Sequence, residues 1–590
     1  MITSSLYFNG DDCFLSWKLP TTPNCWGVAI YRKLESPGKP TEEGFLENRV
    51  GFDGDNNPPN SHKSSEEWPF QRYTWTDHGV SEGDTVTYTI YPVMKTANGL
   101  VTDKNNGSVA GPVTATASGA GKVSAYFNRG FVISQFMAKA LKDMFGEDWN
   151  ADDKINSNLI KFKKSLQKDD SDLRNFLMGQ LGDKLISLLQ TAKEKKWHVY
   201  AALYELDDDV LISALESLGK KAHIVLSNGS KKIKGEDGNK TAAAALKGKI
   251  DMTRRMLWSE GLGHNKFLVI AKSATEPLMV WTGSTNWATT GLCTQLNNGI
   301  LIEDKKIAEV YKKQWTLLKN DKRTGRNGRT DMHFGDALMK SNDEVKKGTA
   351  GATGKWQVNF TRTSDGRDMD LIAGYINGAK ESILFLMFEP GDSGLLQVVQ
   401  SRLSPASEHY NDKLYIHGVV NSLKPGTFGK NLNVNLVGRG NATSFDLKAA
   451  QPEGVKNLSG FADEVGRDNF IMQKDPRTGK VGVIGHAIIH SKIIIIDPFT
   501  NPVVITGSHN FSASASGKND ENFVIIKDNK ELAERYCVNI MAAYQHYRWR
   551  SYVLQCQEKN ISPWQGLKKA DTWQSKSVDK NEELNFWIRS

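Results

Sequence analysis

Short runs of β-branched and aromatic residues, broken by turn clusters, occupy the first 115 or so positions of the chain. The runs fall at 5–8, 13–18, 26–33, 72–75, 85–94 and 111–115, with Asn9-Gly10-Asp11-Asp12 and residues 56–60 among the turns. Strands at that spacing predict a small all-β sandwich. A stretch of small residues, 114–121, then reads as a linker; its Gly121-Lys122 lacks the flanking glycine and hydroxyl of a phosphate loop. Beyond it, strand-like apolar runs alternate with amphipathic helical ones, and the order occurs twice. Residues 197–204, 209–218 and 222–226 predict strand, helix and strand; residues 371–379, 382–388, 395–403 and 414–420 predict helix, strand, helix and strand. Such alternation predicts parallel pairing, and its recurrence predicts two similar α/β/α lobes. The polar, glycine-punctuated stretch 320–355 is the expected crossing between them. The division that follows is a sandwich at 1–117, a first lobe at 123–322, a connection at 323–355 and a second lobe with a helical tail at 356–590.

Each lobe carries one hairpin pattern with the same polar residues at matching places. In the first, His264-Asn265-Lys266 opens the run Phe267-Leu268-Val269-Ile270, a turn follows at Glu276-Pro277, and the next strand ends in Gly283-Ser284-Thr285-Asn286. In the second, His490-Ser491-Lys492 opens Ile493-Ile494-Ile495-Ile496, the turn is Asn501-Pro502, and the end is Gly507-Ser508-His509-Asn510. On an extended strand a His and a Lys two apart share a face, and the apolar run behind them buries the strand. A phosphodiester needs fixed donors on its non-bridging oxygens. Lys266, Lys492, Asn286, Asn510, Ser284 and Ser508 are the candidates, with no metal or other cofactor required. It also needs a nucleophile on one side of phosphorus and an acid on the other, which two facing imidazoles, His264 and His490, can supply.

The doubled H-x-K followed by G-S-x-N resembles the signature of the phospholipase D superfamily, and the resemblance extends in organisation over residues 123–555. It implies the two-lobed α/β phospholipase D fold with one site at the interface of the lobes, here preceded by the small all-β sandwich. It also implies a metal-independent phosphodiesterase in which His264 attacks to form a phosphohistidine and His490 is first the acid, then the base. The family places an Asp after a four-residue gap beyond the Lys, a fold-supporting position that Asp497 fills and Ala271 does not. About thirty residues after each His it places an acidic residue behind the imidazole. Glu521 is the candidate behind His490, and Asn297 takes the matching place behind His264. A carboxylate there would raise the pKa of His490 and favour the acid form, while neutral Asn297 would leave His264 unprotonated, as a nucleophile must be. In the amino-terminal part, Leu15-Ser16-Trp17 with residues 26–32, 73–77 and 83–88 resembles a fibronectin type III module.

Composition narrows this little further. A net charge of +8 over 590 residues is a mild surplus that helps any anionic partner approach and does not mark a dedicated nucleic-acid binder. The basic clusters at 231–234 and 322–329 read as solvated loops. Charged residues at 24% and apolar ones at 39% exclude a disordered or collagen-like chain. The five cysteines form no C-x-x-C pair and no disulfide framework; only Cys13 and Cys25 are near enough for a local bridge, and lone buried thiols are the favoured reading. The first residues lack the basic head and apolar run of a secretory signal, and no run reaches the roughly 18 apolar residues of a membrane span. A soluble protein with peripheral membrane contact at most is expected. The fibronectin-like module beside a lipid hydrolase tilts the location from cytoplasm toward export in a bacterium.

The superfamily includes phospholipases, lipid synthases and nucleases. The full two-lobed length, the mild charge and the 15 tryptophans, among them Trp287, Trp564, Trp573 and Trp587, lean toward a glycerophospholipid met at a bilayer or micelle surface. Hydrolysis would give phosphatidic acid and a free alcohol, with transfer to other alcohols as a further outcome. The alternatives are a nuclease acting on DNA or RNA, and an inactive binding protein, suggested by Ala271 and Asn297. Tyr204-Glu205 and Phe388-Glu389 end predicted strands, where they line a cleft or cap the strand. His486 and His509 flank the second motif, with a structural role favoured over a proton shuttle. Tyr544, Tyr547, Arg548, Trp549, Arg550 and Tyr552 interleave aromatics with bases, a pattern that suits headgroups, stacked bases or a helical core. Two motifs in one chain mean that no partner subunit is needed to complete the site.

Overall fold

The computed structural model describes residues 2–55, 61–130, 143–146, 148, 154–168, 171–231, 235–257, 261–322, 333–350, 354–388, 390, 394–422, 445–451, 472–474, 481–483, 489–558, 566–575 and 581–589. Among the described residues from 3 to 114, every regular element is a strand. Thr3–Phe8, Cys13–Lys18 and Thr74–Asp77 form one antiparallel sheet; Cys25–Glu35, Glu42–Phe45, Thr85–Thr96, Gly99–Thr102 and Ser108–Thr114 form another. Alternate residues of two neighbouring strands of the second sheet, Val28 and Ile30 beside Val86, Tyr88 and Ile90, close a core with Leu15 and Trp17 of the first.

Two larger sheets follow. The seven-stranded one runs in the order Val123–Phe127, Asn298–Ile302, Glu276–Gly283, Lys266–Ser273, His198–Leu203, Ala222–Ser227, Asp251–Arg255. The eight-stranded one adds Lys346–Ala350 at one edge and then repeats that order with Gly354–Thr361, Glu521–Lys527, Val503–Gly507, Ile493–Ile496, Ser382–Met387, Tyr415–Ser422 and Phe445–Gln451. Only the last three strands of each sheet pair in parallel. The motif strands enter antiparallel, because a short turn can join only antiparallel neighbours. Parallel pairing is thus confined to the strand–helix–strand part of each half.

Side chains of the motif strands alternate between two cores. Phe267, Val269, Ile493 and Ile495 face a cluster shared by both sheets, whereas Leu268 and Ile270, and Ile494 and Ile496, face separate outer clusters. Cover on both faces explains why these strands are unbroken apolar runs. Tyr311 and Trp315 of the helix Lys305–Asn320, and Tyr536 and Tyr544 of the helix Lys530–Glu558, complete the shared cluster. The expected linker is folded: Ala115 and Ala117 are buried, and the Ala117 carbonyl accepts the Ala125 N–H at 3.0 Å. The expected crossing contains the helix Asp336–Asp343 and the edge strand Lys346–Ala350.

Asp497 fills the supporting place read from the sequence. Its carboxylate accepts the backbone N–H groups of Lys380, Glu381 and Ser382 at 2.7–2.9 Å, tying the motif strand to the start of Ser382–Met387. Asp497 also sits at φ 47°, in the left-handed region that Asp tolerates better than Ala. Asp497→Ala should therefore cost about 3 kcal/mol, read as a lowered urea midpoint, from three orphaned amides plus backbone strain.

Residues from 566 on return to the amino-terminal sheets. Trp573 Nε1 donates to the Cys25 carbonyl at 2.9 Å, and Lys568 N donates to Gln71 Oε1 at 2.8 Å. Trp587 is fully buried among Tyr7, Phe14, Phe499 and Phe586, with Nε1 donating to the Tyr415 hydroxyl at 3.0 Å. Trp287 is buried as well. The interfacial role expected for Trp287, Trp573 and Trp587 is corrected: their rings fill the seams where elements meet. Tyr544 and Tyr547 likewise pack in the core. Cys13, Cys25, Cys293 and Cys537 are free and buried. Trp564, Glu389, His486, the side chains of Trp549, Arg550 and Tyr552, and residues 232–234 and 323–329 of the basic clusters lie outside the described residues. Among the described residues, no helix is long and apolar enough to cross a membrane.

Candidate active site

The two H-x-K segments occupy equivalent places in the two sheets, and all four side chains are buried, from 0% exposed at Lys492 to 5% at His490. Lys266 Nζ donates to the His264 carbonyl at 2.7 Å, and Lys492 Nζ to the His490 carbonyl at 2.5 Å, which sets each ammonium beside its own imidazole. Tyr204 and Phe388, at the ends of the neighbouring strands, are matching walls. Their rings lie 4.6 Å from His264 and 4.9 Å from His490, and 4.8 Å from the Nζ of Lys266 and of Lys492. Gly283, at φ 150°, must lack a side chain, since a Cβ there would meet the Asn298 carbonyl oxygen at 2.3 Å.

Behind each imidazole stands a residue from the other sheet. His264 Nδ1 lies 2.7 Å from Glu521 Oε2, and His490 Nδ1 lies 2.9 Å from Asn297 Oδ1. This reverses the expected pairing of Glu521 with His490 and Asn297 with His264. The reason is the packing of the two halves: Leu296 bridges Ile489, His490 N donates to the Leu296 carbonyl at 2.9 Å, and Asp520 N donates to the Leu262 carbonyl at 2.8 Å. The chain just before Asn298–Ile302 thus abuts the second motif, and the chain just before Glu521–Lys527 abuts the first. Ionised Glu521 can only accept, which puts a proton of His264 on Nδ1 and, in the neutral ring, leaves the lone pair to Nε2. Asn297 Nδ2 donates to the Gly291 carbonyl at 2.8 Å, which turns its Oδ1 to His490 and fixes the same tautomer there.

The serines do not face a phosphate site. Ser284 Oγ donates to Asn297 Oδ1 and Ser508 Oγ to Glu521 Oε2, both at 2.8 Å, while accepting the N–H of Asn298 and of Asn522 at 3.0 Å. Their assignment as phosphate ligands is corrected: with donor and acceptor both engaged, they hold the groups behind the histidines. Asn286 Nδ2 donates to Glu205 Oε2 at 2.7 Å, and Oδ1 of both Asn286 and Asn510 is buried without a partner. His509 is fully buried with Nε2 3.0 Å from Asp368 Oδ2 of the helix Arg367–Gly378, and its Nδ1 accepts the Phe511 N–H at 2.9 Å.

Burial, reinforced by Lys266 and Lys492, holds both imidazoles well below their ordinary pKa. Burial pushes the Glu521 carboxyl up to about 7, opposed chiefly by Lys266. Burial lowers Lys266, opposed by Glu521 and Glu205. These mutual influences place the two His–Lys pairs in one electrostatic unit.

Several supporting residues escaped the sequence reading. Asn128 Nδ2 donates to the carbonyls of Leu292 and Gln295 at 2.7 Å, and its Oδ1 accepts the Asn297 N–H at 2.8 Å. Thr361 does the same for the other half, with Oγ1 3.0 Å from the Ala515 and Asn519 carbonyls and 3.1 Å from Glu521 N. Asn298 and Asn522 are fully buried and cross between the sheets: Asn298 Nδ2 donates to Thr506 Oγ1 at 2.7 Å, and Thr282 Oγ1 donates to Asn522 Oδ1 at 2.6 Å. An Asn directly after the matched positions 297 and 521 is a signal that would have found this pair. Arg255, 2% exposed, bonds Asp520 at 2.6 Å and Asp321 at 2.7 Å, locking the residue next to Glu521.

Two imidazoles, two lysines and two amides, joined across the paired α/β sheets, make up the candidate active site. Residues 185–317 and 431–541 match the family model described as "Cardiolipin synthase, PLD-like domain". The two matched segments are similar to a PLD-like domain, and each contains one of the H-x-K segments. It is similar over 52 residues to the phospholipase D of Rickettsia felis, at 54% identity covering 9% of this chain and 24% of that protein, and to that of Rickettsia conorii with the same figures. The chain thus spans about a quarter of the length of the curated relatives it matches. Among solved structures it is similar to the phospholipase D family member Nuc from Salmonella typhimurium, at 18% identity over 32% of this chain and 94% of that one, with a TM-score of 0.19. It is also similar to the polyphosphate kinase of Porphyromonas gingivalis, at 9% identity over 90% of this chain and 74% of that one, with a TM-score of 0.36.

Proposed function

We propose that the chain is a metal-independent phosphodiesterase working through a phosphohistidine on His264. The observation that carries this is the contact between His264 Nδ1 and buried Glu521 at 2.7 Å. When Nε2 attacks phosphorus, the P–N bond forms, the P–O bond to the alcohol breaks, and the ring takes on positive charge while Nδ1 keeps its proton. Glu521 offsets that charge; the amide behind His490 could not. The nucleophile expected from the sequence is retained for the opposite reason. His490 delivers its proton to the departing alcohol. In the free site burial and the lysines keep it neutral, and the negative charge of a bound diester offsets them so that the ring can carry a proton. Neutral His490 then takes a proton from water as the oxygen attacks phosphorus, and the P–N electron pair returns to His264. Lys266, Lys492, Asn286 and Asn510 hold the non-bridging oxygens.

Because the attack needs ionised Glu521, whose carboxyl sits at about 7, while phosphate binding needs the protonated form of Lys266, which burial lowers, kcat/KM should follow a bell against pH, with Glu521 setting the acid limb near 7. Glu521→Gln should abolish this limb and lower kcat about 100-fold, seen in a pH–rate profile from 5 to 9.

A glycerophospholipid is the proposed substrate, with phosphatidic acid and an alcohol as products. The support is the name phospholipase D borne by the relatives similar over 52 residues and the lipid synthase in the family description. The test is turnover, with EDTA present, of phosphatidylcholine and phosphatidylglycerol vesicles beside single- and double-stranded DNA. Release of headgroup alcohol supports the lipid reading. Cleavage of DNA alone replaces it with a nuclease, and turnover of neither, with no phosphohistidine, leaves a binding protein. The amino-terminal sheets are proposed to be a fibronectin type III-like module.

A further inference from the structure

A carboxylate stands beside the first His–Lys pair. Glu205 follows Tyr204 just beyond the strand His198–Leu203, half-buried against the turn at Gly229, and its Oε2 accepts from Asn286 Nδ2 at 2.7 Å. Asn286 is 4% exposed, and its Oδ1 has no partner, so the bond to Glu205 orients the amide. Lys266 and Glu205 act on each other, which sets the carboxylate in the field of the first His–Lys pair.

We infer that Glu205 is a specificity-determining residue of the phosphate pocket, which aims Asn286 at the substrate and by its charge admits phosphodiester monoanions while turning away phosphomonoester dianions. The inference rests on the phosphodiesterase reading and deepens it. Hydrolysis converts a substrate carrying one negative charge into a product that, above its second pKa of about 6, carries nearly two. Two lysines and two amides alone would hold that product more tightly than the substrate. A carboxylate bonded to one of the amides reverses the preference, since its repulsion grows with ligand charge while its hydrogen bond polarises the remaining Asn286 N–H toward either ligand. Glu205 is thus a positioning residue for Asn286 and a one-charge filter that speeds release of the phosphomonoester.

The test is a calorimetric titration at pH 8 with two probes, inorganic phosphate and dimethyl phosphate. Glu205→Gln keeps an acceptor for Asn286 and removes the charge. It should shift the ratio of the two dissociation constants about tenfold in favour of phosphate. Glu205→Asp keeps the charge at shorter reach and should weaken both ligands while leaving the ratio near that of the wild type. An unchanged ratio in Glu205→Gln, or the same shift in Glu205→Asp, would overturn the inference. The phosphodiesterase reading is judged separately, by turnover in the wild type against His264→Ala, so either can fail alone.

Discussion

His264→Ala should lower turnover at least about 10⁴-fold and leave no phosphate on the protein, whereas wild-type enzyme quenched in acid-free medium during turnover should carry it on the peptide containing His264. His490→Ala should behave differently, because the two rings differ in what stands behind them. Without an acid, a leaving alcohol of high pKa departs slowly, while p-nitrophenolate leaves without help. The variant should therefore lose far more activity on a phospholipid or alkyl diester than on a p-nitrophenyl phosphodiester. With the latter it should accumulate phosphohistidine, since water is no longer deprotonated for the second step. Mass spectrometry locating phosphate on His490 in the wild type would reverse the assignment and sink the role given to Glu521.

Arg255→Met should lower stability by about 3–5 kcal/mol, read from the urea midpoint at pH 7, because it strands Asp520 in a site that is 1% exposed. Asp321 loses the same partner but keeps the N–H groups of Phe334 and Gly335, at 2.7 and 2.8 Å. The double variant Arg255→Met/Asp520→Asn should recover most of the loss, since the uncompensated charge, more than lost packing, is the cost. Activity should fall in both, because Asp520 adjoins Glu521. A single variant as stable as the wild type would mean that Asp520 takes up a proton at no cost, against the push that burial gives its carboxyl.

The parts of this molecule legible in the sequence are those that repeat locally. The period-two placement of His and Lys, the unbroken apolar strands and the short turns mark the motif hairpins, and six amino-terminal runs coincide with strands to within a few residues. What was illegible depends on contacts between distant segments. Glu521 and Asn297 could be found by spacing, yet the histidine that each serves lies 257 and 193 residues away, and local spacing carries no record of how the halves face one another. The two serines looked like phosphate ligands because their hydroxyl direction is set by the N–H of Asn298 and Asn522, 14 residues on, at the start of the following strand, which residue type and motif do not reveal. The tryptophans were misread for a related reason. Abundance says nothing of address, and Trp573 and Trp587 pack in part against strands more than 400 residues away in the chain.

The exchange of partners between the sheets bears on how such a chain can change over time. Whether a given histidine is backed by a charged or a neutral group is decided by a codon in the opposite half, so neither half can drift alone. A replacement at 521 is felt at 264, and one at 297 is felt at 490. Related chains aligned in sufficient number should show covariance within these pairs rather than within each repeat. Two halves descended from one ancestor could then specialise in chemistry while each kept its own His and Lys untouched.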